Sequence, residues 1–388
     1  MQTILFVHQS AELYGSDKTL FSLVTKLPKH TIRPIVVLPE EGPLASLLRE
    51  ENIDLIISPI IKLSRSFFSF RNMVKLPFQV VTSLIKLNKK LEHESIDFVH
   101  SNTLAVLLGA FYAKWKKIDH VWHVHEIIEK PRILNILYRF LVNTFSKQIV
   151  FNSKASFDSL VRHNKKLKNK SSVIYNGVTA PDIVYSIKEI NQFKSINLKL
   201  PTDAIVIGMV GRISRWKGQS FLLDVFDNLQ KENTSVFLLY IGSPPSDQSF
   251  YLTHLANKII SKGLENKVKI LPFTSDIWKY WSCIDIAVVP STEPEPFGLV
   301  AVEAMYMEKP VVAAKHGGLL EIIQHKKTGL LFEPNNSDEL SAALKLLVGN
   351  ADLRKSLGKN GHKYVSEQFT VEKYVLNFVN LYKSKTHV

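Results

Sequence analysis

The sequence predicts an α/β protein with two facing, doubly wound, parallel-sheet domains. Three observations support this fold class. The 388 residues are too many for one ordinary core and suit two domains of roughly 150 to 200 residues. Short apolar runs rich in Val and Ile alternate with longer segments of helical periodicity, which is typical of parallel strands covered on both faces. This series of runs pauses once near the middle of the chain and then resumes.

The first series predicts an N-terminal domain over residues 1–180. Its strands are predicted at 4–8, 33–39, 53–59, 96–101, 120–126, 147–153 and 171–177. Residues 181–203 are polar and irregular, which indicates a linker between the domains.

The second series predicts a C-terminal domain over residues 204–370. Its strands are predicted at 204–211, 235–242, 267–273, 284–291, 309–315 and 328–334. The final segment, 371–388, contains an amphipathic helix that we expect to pack back on the first domain. Such sheets bind ligands at the carboxyl ends of their strands, so two facing domains predict a cleft between them.

Composition narrows the class of protein. Hydrophobic residues make up 45% and charged residues 22%, which is ordinary for a globular chain. The single cysteine, Cys283, excludes an intramolecular disulfide and favours a cytosolic protein. The longest apolar run, 103–113, has the length of a core helix and is too short to span a membrane. The net charge is +14, of which +10 falls in residues 1–185, and such a field attracts nucleic acid, anionic lipid or phosphorylated small molecules.

The stretch "EPEPFGLVAVEA" places Glu295 and Glu303 eight residues apart around a Pro-Phe-Gly break. The prolines put Glu295 in a loop, and a helix that begins near Phe297 or Gly298 would carry Glu303 on its second turn. The free N–H groups of Phe297, Gly298 and Leu299 would then form an anion site. The alternative is a solvated loop followed by a helix with an exposed Glu.

Two further loops follow predicted strands. In "GMVGRISRWKG" the strand ends at Gly211, and Arg212 and Lys217 are suitably placed to bind a diphosphate, unless the loop is simply basic and solvated. In "AELYGSDKTL" Gly15 and Ser16 would form a tight turn, with Ser16 or Asp17 capping a helix that buries Leu20 and Leu23. A plain helix cap explains this last loop equally well.

Taken together, these three motifs resemble the retaining glycosyltransferases of family 4, which have the GT-B fold. "VIYNGV", "KHGGLLEII" and "KTGLLFEP" extend the resemblance in family order over nearly the full chain. The resemblance implies that Arg212 and Lys217 neutralise the diphosphate of a nucleotide sugar. It also implies that Glu303 holds the ribose, that Glu295 contacts the transferred sugar, and that the Gly15-Ser16 loop lies by the phosphate and the acceptor.

The resemblance also implies a role for one histidine. In "WHVHE", His125 matches the family's active-site histidine better than His123 does, although a histidine at a strand end is more often structural. The loop "YGSD" departs from the usual Gly-Gly pattern, and Glu293 is expected to be peripheral. The sequence has no Asp-x-Asp pair or ligand cluster, so we expect no essential metal and no cofactor besides the nucleotide-sugar substrate.

Residues 62–90 carry seven Lys or Arg, no acid and several aromatic residues. This pattern predicts a segment lying on an anionic membrane, unless it is a core helix with a solvated basic face. The expected membrane or acceptor contacts are Lys62, Arg65, Phe67, Phe68, Arg71 and Lys75.

The function predicted from these features is hexosyl transfer from a nucleotide sugar to a saccharide or lipid-linked saccharide, in polysaccharide or lipopolysaccharide synthesis on the inner face of the cell membrane. A GT-B epimerase or phosphorylase is the alternative enzyme class. A nucleic-acid-binding protein is a weaker alternative, because no recognised RNA- or DNA-binding module is present.

Overall fold

The computed structural model describes residues 1–60, 70–129, 131–162, 164–181 and 185–383, without the side chains of 70–77 and 246. The chain divides into two compact units. The first comprises Met1–Gly177 and the C-terminal residues from Val371, and the second comprises Val178–Thr370. Each unit contains one wholly parallel sheet, and together the two sheets contain strands at all thirteen predicted positions.

The sheet of the first unit has seven strands in the order β3-β2-β1-β4-β5-β6-β7. The strands are β1 (Gln2–His8), β2 (Ile32–Leu38), β3 (Asp54–Ile57), β4 (Phe98–Asn102), β5 (Asp119–Val124), β6 (Gln148–Phe151) and β7 (Ser171–Val173). The helices are α1 (Gly15–Lys26), α2 (Pro43–Glu50), α3 (Phe70–Lys90), α4 (Leu108–Lys116), α5 (Arg132–Phe145), α6 (Lys154–Val161), α7 (Lys165–Lys168) and the C-terminal α16 (Val371–Lys383).

Helices cover both faces of this sheet because successive strand residues point to opposite sides. Ile4 and Phe6 of β1 face the core shared with α1, α2 and α16. Leu5 and Val7 face the core shared with α3, α4 and α5. Burial on both faces explains why the strand reads as a continuous apolar run.

The sheet of the second unit has six strands in the order β10-β9-β8-β11-β12-β13. The strands are β8 (Ile205–Val210), β9 (Val236–Ile241), β10 (Val268–Leu271), β11 (Ile286–Val289), β12 (Val311–Ala314) and β13 (Gly329–Phe332). The helices are α8 (Ile187–Gln192), α9 (Gln219–Glu232), α10 (Phe250–Ser261), α11 (Ile277–Cys283), α12 (Leu299–Tyr306), α13 (Leu319–Ile322), α14 (Ser337–Gly349) and α15 (Ala351–Gln368), with a π-helical turn at Phe193–Asn197 and a 3-10 turn at Ser246–Gln248.

The structure corrects two local expectations. The apolar run at 103–113 is not one helix, because α4 begins only at Leu108 and Thr103 has a φ of 98°, which is incompatible with a right-handed helix. In the first loop Ser16 is not the cap, because α1 already begins at Gly15. Asp17 acts from inside the first turn, where its Oδ2 accepts a hydrogen bond from the Tyr14 N–H at 2.7 Å.

Each sheet has a point where the strand order reverses, between β1 and β4 in the first unit and between β8 and β11 in the second. Doubly wound sheets bind ligands at the carboxyl ends of the strands at such points. Within the described part of the chain, no helix is both long and apolar enough to cross a membrane.

Candidate functional site

Three loops meet at the carboxyl edge of the second sheet, next to its reversal point. They follow β8, β11 and β12 and span residues 211–218, 290–298 and 315–318. The first two loops are joined by the Thr292 N–H, which donates to the Trp216 carbonyl at 2.8 Å. The last two are joined by the Gly318 N–H, which donates to the Glu295 carbonyl at 2.7 Å. The backbone therefore holds the three loops together.

The sequence-predicted residues Lys217 and Glu295 form an ion pair in these loops. Lys217 Nζ lies 2.6 Å from Glu295 Oε1, and the Ser291 hydroxyl donates to the same oxygen at 2.5 Å. Glu295 is only 4% exposed, and the Lys217 side chain is 17% exposed. A buried carboxylate requires such partners, since an unpaired charge is costly to bury. The Lys217 side chain thus keeps part of its surface exposed beside the buried carboxylate.

Glycines allow the loops to pack this closely. Gly317 has a φ of 59°, and a Cβ there would lie 2.2 Å from the Glu295 carbonyl oxygen. A Cβ on Gly318 would lie 2.6 Å from Phe297 Cα. The "HGG" stretch therefore supports the Glu295 loop directly, a role that the sequence motif alone did not assign.

The two acids occupy different elements. Gly298, with a φ of 110°, caps α12, and Leu299 is the first helical residue. Glu303 lies on the second turn of α12 and is 5% exposed, so it is not the exposed glutamate of the alternative reading. The N–H groups in the first turn of a helix have no intrahelical acceptor and attract anions.

The cationic loop after β8 contains a half-buried arginine, Arg212, and an exposed arginine, Arg215. Gly211 has a φ of 145°, and Arg212 is half-buried, with its backbone carbonyl accepting a hydrogen bond from Gln219 Nε2 at 2.9 Å. Arg215 is exposed and forms an ion pair with the exposed Glu293. Glu293 therefore lies outside the buried pair.

Sequence reasoning missed three residues that shape these loops. Ser291 donates to Glu295, Gln219 holds the Arg212 backbone, and His316 Nε2 lies 2.7 Å from the Ser291 carbonyl oxygen. The only signal that could have indicated them is their position, two residues after β11 for Ser291, at the start of α9 for Gln219 and two residues after β12 for His316.

A second polar group lies at the carboxyl edge of the first sheet. His125 directly follows β5, and its Nε2 lies 2.9 Å from Asn102 Oδ1 at the end of β4. Asn102 Nδ2 also donates to the Ser16 carbonyl at 3.2 Å. Gly15 and Ser16, in the first turn of α1, are therefore brought to His125 through Asn102. Burial lowers the pKa of His125 to about 3, so its ring is neutral at pH 7.

Glu126, the acid beside His125, has an unusual protonation equilibrium. Its carboxylate accepts hydrogen bonds from the backbone N–H groups of Leu104 at 3.1 Å and of His125 at 2.9 Å. Burial raises its pKa from 4.5 to about 7, and these hydrogen bonds only partly oppose the shift.

The predicted membrane contacts are not all described by the structure. Lys62, Arg65, Phe67 and Phe68 lie outside the described residues. Arg71 and Lys75 belong to α3, but their side chains are not described. The described remainder of α3 exposes Phe78, Val81 and Ile85.

Among the described residues, no three His, Cys, Asp or Glu side chains are placed to hold one metal ion. The buried carboxylate of Glu295 is instead paired with Lys217. The arrangement there can bind an anion through Lys217, Arg212 and the start of α12, with buried carboxylates available for hydroxyl groups.

Family models match both halves of the chain. Residues 14–180 match the model described as Glycosyltransferase Family 4, and residues 191–364 match Glycosyl transferases group 1. An uncharacterised glycosyltransferase of Methanocaldococcus jannaschii is 31% identical over 307 residues, which are 77% of this chain and 78% of that protein. The alpha-1,3/1,6-mannosyltransferase ALG2 of Dictyostelium discoideum is 25% identical over 66% of this chain and 67% of its own length.

Solved structures show the same architecture. HepE of Anabaena in complex with UDP-glucose has a TM-score of 0.86 and 26% identity, covering 99% of this chain and all of HepE. WaaG, a glycosyltransferase of lipopolysaccharide biosynthesis, has a TM-score of 0.72 with 14% identity over the full length of both chains, which shows the fold alone.

Proposed function

This chain belongs to glycosyltransferase family 4 and has the GT-B fold, and we propose that it is a retaining hexosyltransferase. Its donor is a nucleoside diphosphate sugar, and its acceptor is a saccharide or lipid-linked saccharide in cell-surface polysaccharide synthesis. The observation that carries the proposal is the ion pair between the partly buried Lys217 and the buried Glu295, close to the start of α12 at the reversal point of the second sheet.

The chemistry to be catalysed is departure of a diphosphate from an oxocarbenium-like sugar. Arg212, Lys217 and the first-turn N–H groups of α12 supply positive charge where the leaving group develops negative charge. These groups do the work that a metal ion would otherwise do, so the proposed reaction needs no metal.

The carboxylates bind hydroxyl groups of the donor. Glu303, buried on α12, is proposed to hold the ribose, and Glu295 the hydroxyls of the transferred sugar. Glu295 already accepts from Ser291 and Lys217 and is a binding residue rather than a nucleophile. For His125 and the Gly15-Ser16 loop of the first unit, we propose a role in binding hydroxyl or phosphate groups of the substrates.

The donor-site proposal is tested by isothermal titration with UDP-glucose, UDP-galactose, UDP-N-acetylglucosamine and GDP-mannose. The likeness to HepE, solved with UDP-glucose, supports a UDP-hexose as the first probe. Lys217→Met removes a charge-assisted contact and is expected to weaken binding about tenfold to a hundredfold. Glu303→Gln should weaken it similarly. The control Lys345→Met removes a lysine paired with Glu232 in the same unit and should change nothing.

Activity distinguishes the remaining outcomes. Transfer that continues in EDTA and yields a product with the donor's anomeric configuration, seen by proton NMR, supports a metal-independent retaining enzyme. Failure of every nucleotide sugar to bind, or equal loss in Lys345→Met, would contradict the donor site. Conversion of the donor without any acceptor would indicate the epimerase alternative.

We further propose that the first unit rests on an anionic membrane surface through α3, α4 and α5. These helices pack side by side on one face of the sheet. Exposed apolar side chains project from α3 and α5 with a spacing of three and four residues. They are Phe78, Val81 and Ile85 on α3, and Ile133, Ile136 and Phe140 on α5.

Charge favours an anionic lipid surface as the partner. Exposed lysines accompany these side chains at the ends of α3 and α4: Lys86, Lys89, Lys90, Lys114, Lys116 and Lys117. Trp115 of α4 is half-exposed, with Lys116 Nζ 4.9 Å from its ring centroid. Apolar residues interleaved with cations suit the lipid headgroup region, where each lysine contributes about 1 kcal/mol.

Vesicle flotation tests the membrane proposal. The triple variant Ile133→Ser, Ile136→Ser, Phe140→Ser should lose binding to vesicles that contain phosphatidylglycerol. A matched triple variant at exposed apolar positions of the second unit, Ile187→Ser, Phe250→Ser and Leu346→Ser, should bind as the wild type does. Equal flotation of the two triple variants would contradict the membrane proposal. So would wild-type binding to neutral vesicles that is as strong as binding to vesicles with phosphatidylglycerol.

A further inference from the structure

Four polar side chains form a continuous hydrogen-bonded chain across the carboxyl ends of three adjacent strands. Asp17 of α1 contacts His8 at the end of β1, His8 contacts Asn102 at the end of β4, and Asn102 contacts His125 after β5. The distances are 2.5 Å from His8 Nε2 to Asp17 Oδ1, 3.0 Å from Asn102 Nδ2 to His8 Nδ1, and 2.9 Å from His125 Nε2 to Asn102 Oδ1. His8, Asp17 and Asn102 are almost fully buried.

The orientation of the Asn102 amide is fixed from outside the chain. Its Nδ2 lies 3.2 Å from the Ser16 carbonyl oxygen, which can only accept. Rotating the amide by half a turn would set two acceptors against each other there. Nδ2 therefore faces both Ser16 and His8, and Oδ1 faces His125.

The hydrogen bonds to its two neighbours indicate the tautomer of His8. Its Nδ1 receives the second Asn102 N–H and is therefore an acceptor, so the proton is on Nε2 and is donated to Asp17. Asp17 can accept it as a carboxylate, because hydrogen bonds from His8, Ser10 and Tyr14 outweigh its burial and lower its pKa. The 3.2 Å approach of His8 Nδ1 to the Asn102 carbonyl is then a contact between two acceptors and not a hydrogen bond.

The orientation of the Asn102 amide also fixes the tautomer of His125. Asn102 Oδ1 can only accept, so the Nε2 of His125 must carry a proton. The ring is neutral at pH 7, which leaves Nδ1 unprotonated. A ring in this tautomer can accept a hydrogen bond from a substrate hydroxyl at Nδ1 and cannot donate one there.

We propose that Asp17, His8 and Asn102 are positioning residues that hold His125 in the Nε2-protonated tautomer, so that Nδ1 is its acceptor for a sugar hydroxyl. This inference rests on the proposed function for the role of His125 in transfer. The tautomer itself is a property of the first unit and can be measured without substrate.

The test is long-range ¹H–¹⁵N NMR on the full chain with ¹⁵N-labelled histidine, the His125 signals being identified by their loss in His125→Ala. The wild type should show a protonated Nε2 and an unprotonated Nδ1. In Asp17→Asn the amide oxygen stays with the Tyr14 N–H, so an amide N–H faces His8 Nε2 and moves the His8 proton to Nδ1. That proton opposes the Asn102 N–H group, so the Ser16 carbonyl no longer holds the Asn102 amide in a single orientation. His125 should then shift toward the Nδ1-protonated form.

The rate of sugar transfer should change together with the tautomer of His125. In Asp17→Asn, kcat should fall about tenfold, the effect of one misdirected hydrogen bond, while donor affinity stays unchanged. The matched control is Ser10→Ala, which removes a 2.5 Å hydrogen bond to the same Asp17 oxygen but leaves the four-residue chain intact. It should alter neither the His125 tautomer nor kcat.

The outcomes separate this proposal from the proposed function. A wild-type His125 protonated at Nδ1, or a tautomer unaltered by Asp17→Asn, would overturn the proposal even if the protein transfers sugar. The predicted tautomers in a protein that transfers no sugar would support the positioning role of Asp17, His8 and Asn102 and would count against the proposed transferase function. If Asp17→Asn does not fold, as judged by circular dichroism, the near-isosteric Asn102→Leu replaces it. This variant removes the acceptor that faces His125 Nε2, so an unaltered His125 tautomer in it would likewise overturn the proposal.

Discussion

Replacing Glu126 with glutamine should change the stability of the protein with a sign that depends on pH. The wild-type carboxyl has its pKa raised from 4.5 to about 7 by burial in the folded state. Between these two values the folded protein holds a proton that the unfolded chain has released. Stability therefore falls as pH rises from about 4.5 to 7, because the folded state binds more protons over that range.

The size of the effect follows from the shift. One pKa unit corresponds to about 1.36 kcal/mol, so the full rise from 4.5 to about 7 would destabilise the folded state by about 3 kcal/mol above pH 7. Glu126 is partly exposed, and solvent screening reduces this to between about 1 and 3 kcal/mol. Glutamine offers one oxygen to the two backbone donors and should lose about 1 kcal/mol at every pH.

The sign of the stability difference between the glutamine variant and the wild type therefore reverses between acid and alkaline pH. At pH 4.5 the glutamine variant should be less stable than the wild type by about 1 kcal/mol, and at pH 8 it should be more stable by up to about 2 kcal/mol. Calorimetric unfolding from pH 4.5 to 8.5 measures this, and a carbon NMR titration of Glu126 gives its pKa directly. The exposed Glu129→Gln is the control and should show no reversal. A stability difference for Glu126→Gln that is constant across this range would contradict a raised pKa of Glu126 in the folded protein.

Two further predictions concern packing around the two sites. Gly317→Ala should weaken nucleotide-sugar binding about tenfold, because its Cβ would displace the Glu295 backbone. The control Gly349→Ala, which has open space around it, should bind as the wild type does. Equal binding by the two variants would contradict a role for the Gly317–Glu295 contact in shaping the site. Tyr382→Phe removes the 2.7 Å hydrogen bond to His100 Nδ1 in a fully buried pair and should lower the unfolding free energy by about 1–3 kcal/mol, measured in urea.

Much of the fold could be predicted because its signals are local. Each β-strand is a short apolar run, and the helices between the strands repeat their apolar residues at helical spacing, so the thirteen strands and the two sheets were predictable. The exception at 103–113 has a physical reason. Apolar residues there fill the core, but the φ of Thr103 and the hydrogen bond from Leu104 to Glu126 hold the first residues outside α4.

The donor-site residues were also accessible from the sequence, because they lie in loops directly after predicted strands. Lys217 and Glu295 follow β8 and β11, and neighbouring parallel strands bring such loops to one edge. The supporting residues were not accessible. The contact of Gly317 with Glu295 depends on how the loop after β12 folds back, which no spacing in the sequence expresses.

Two doubly wound sheets, a basic N-terminal half and the acidic and cationic motifs of a family 4 glycosyltransferase can all be recognised in the amino-acid sequence. The hydrogen-bonded chain of His8, Asn102 and His125 exists only in the folded protein. His8 and Asn102 are 94 residues apart in sequence and meet because β1 pairs with β4 in a particular register. Tautomers and the raised pKa of Glu126 likewise depend on burial and on partners distant in sequence, so they are properties of the folded chain and not of any local pattern.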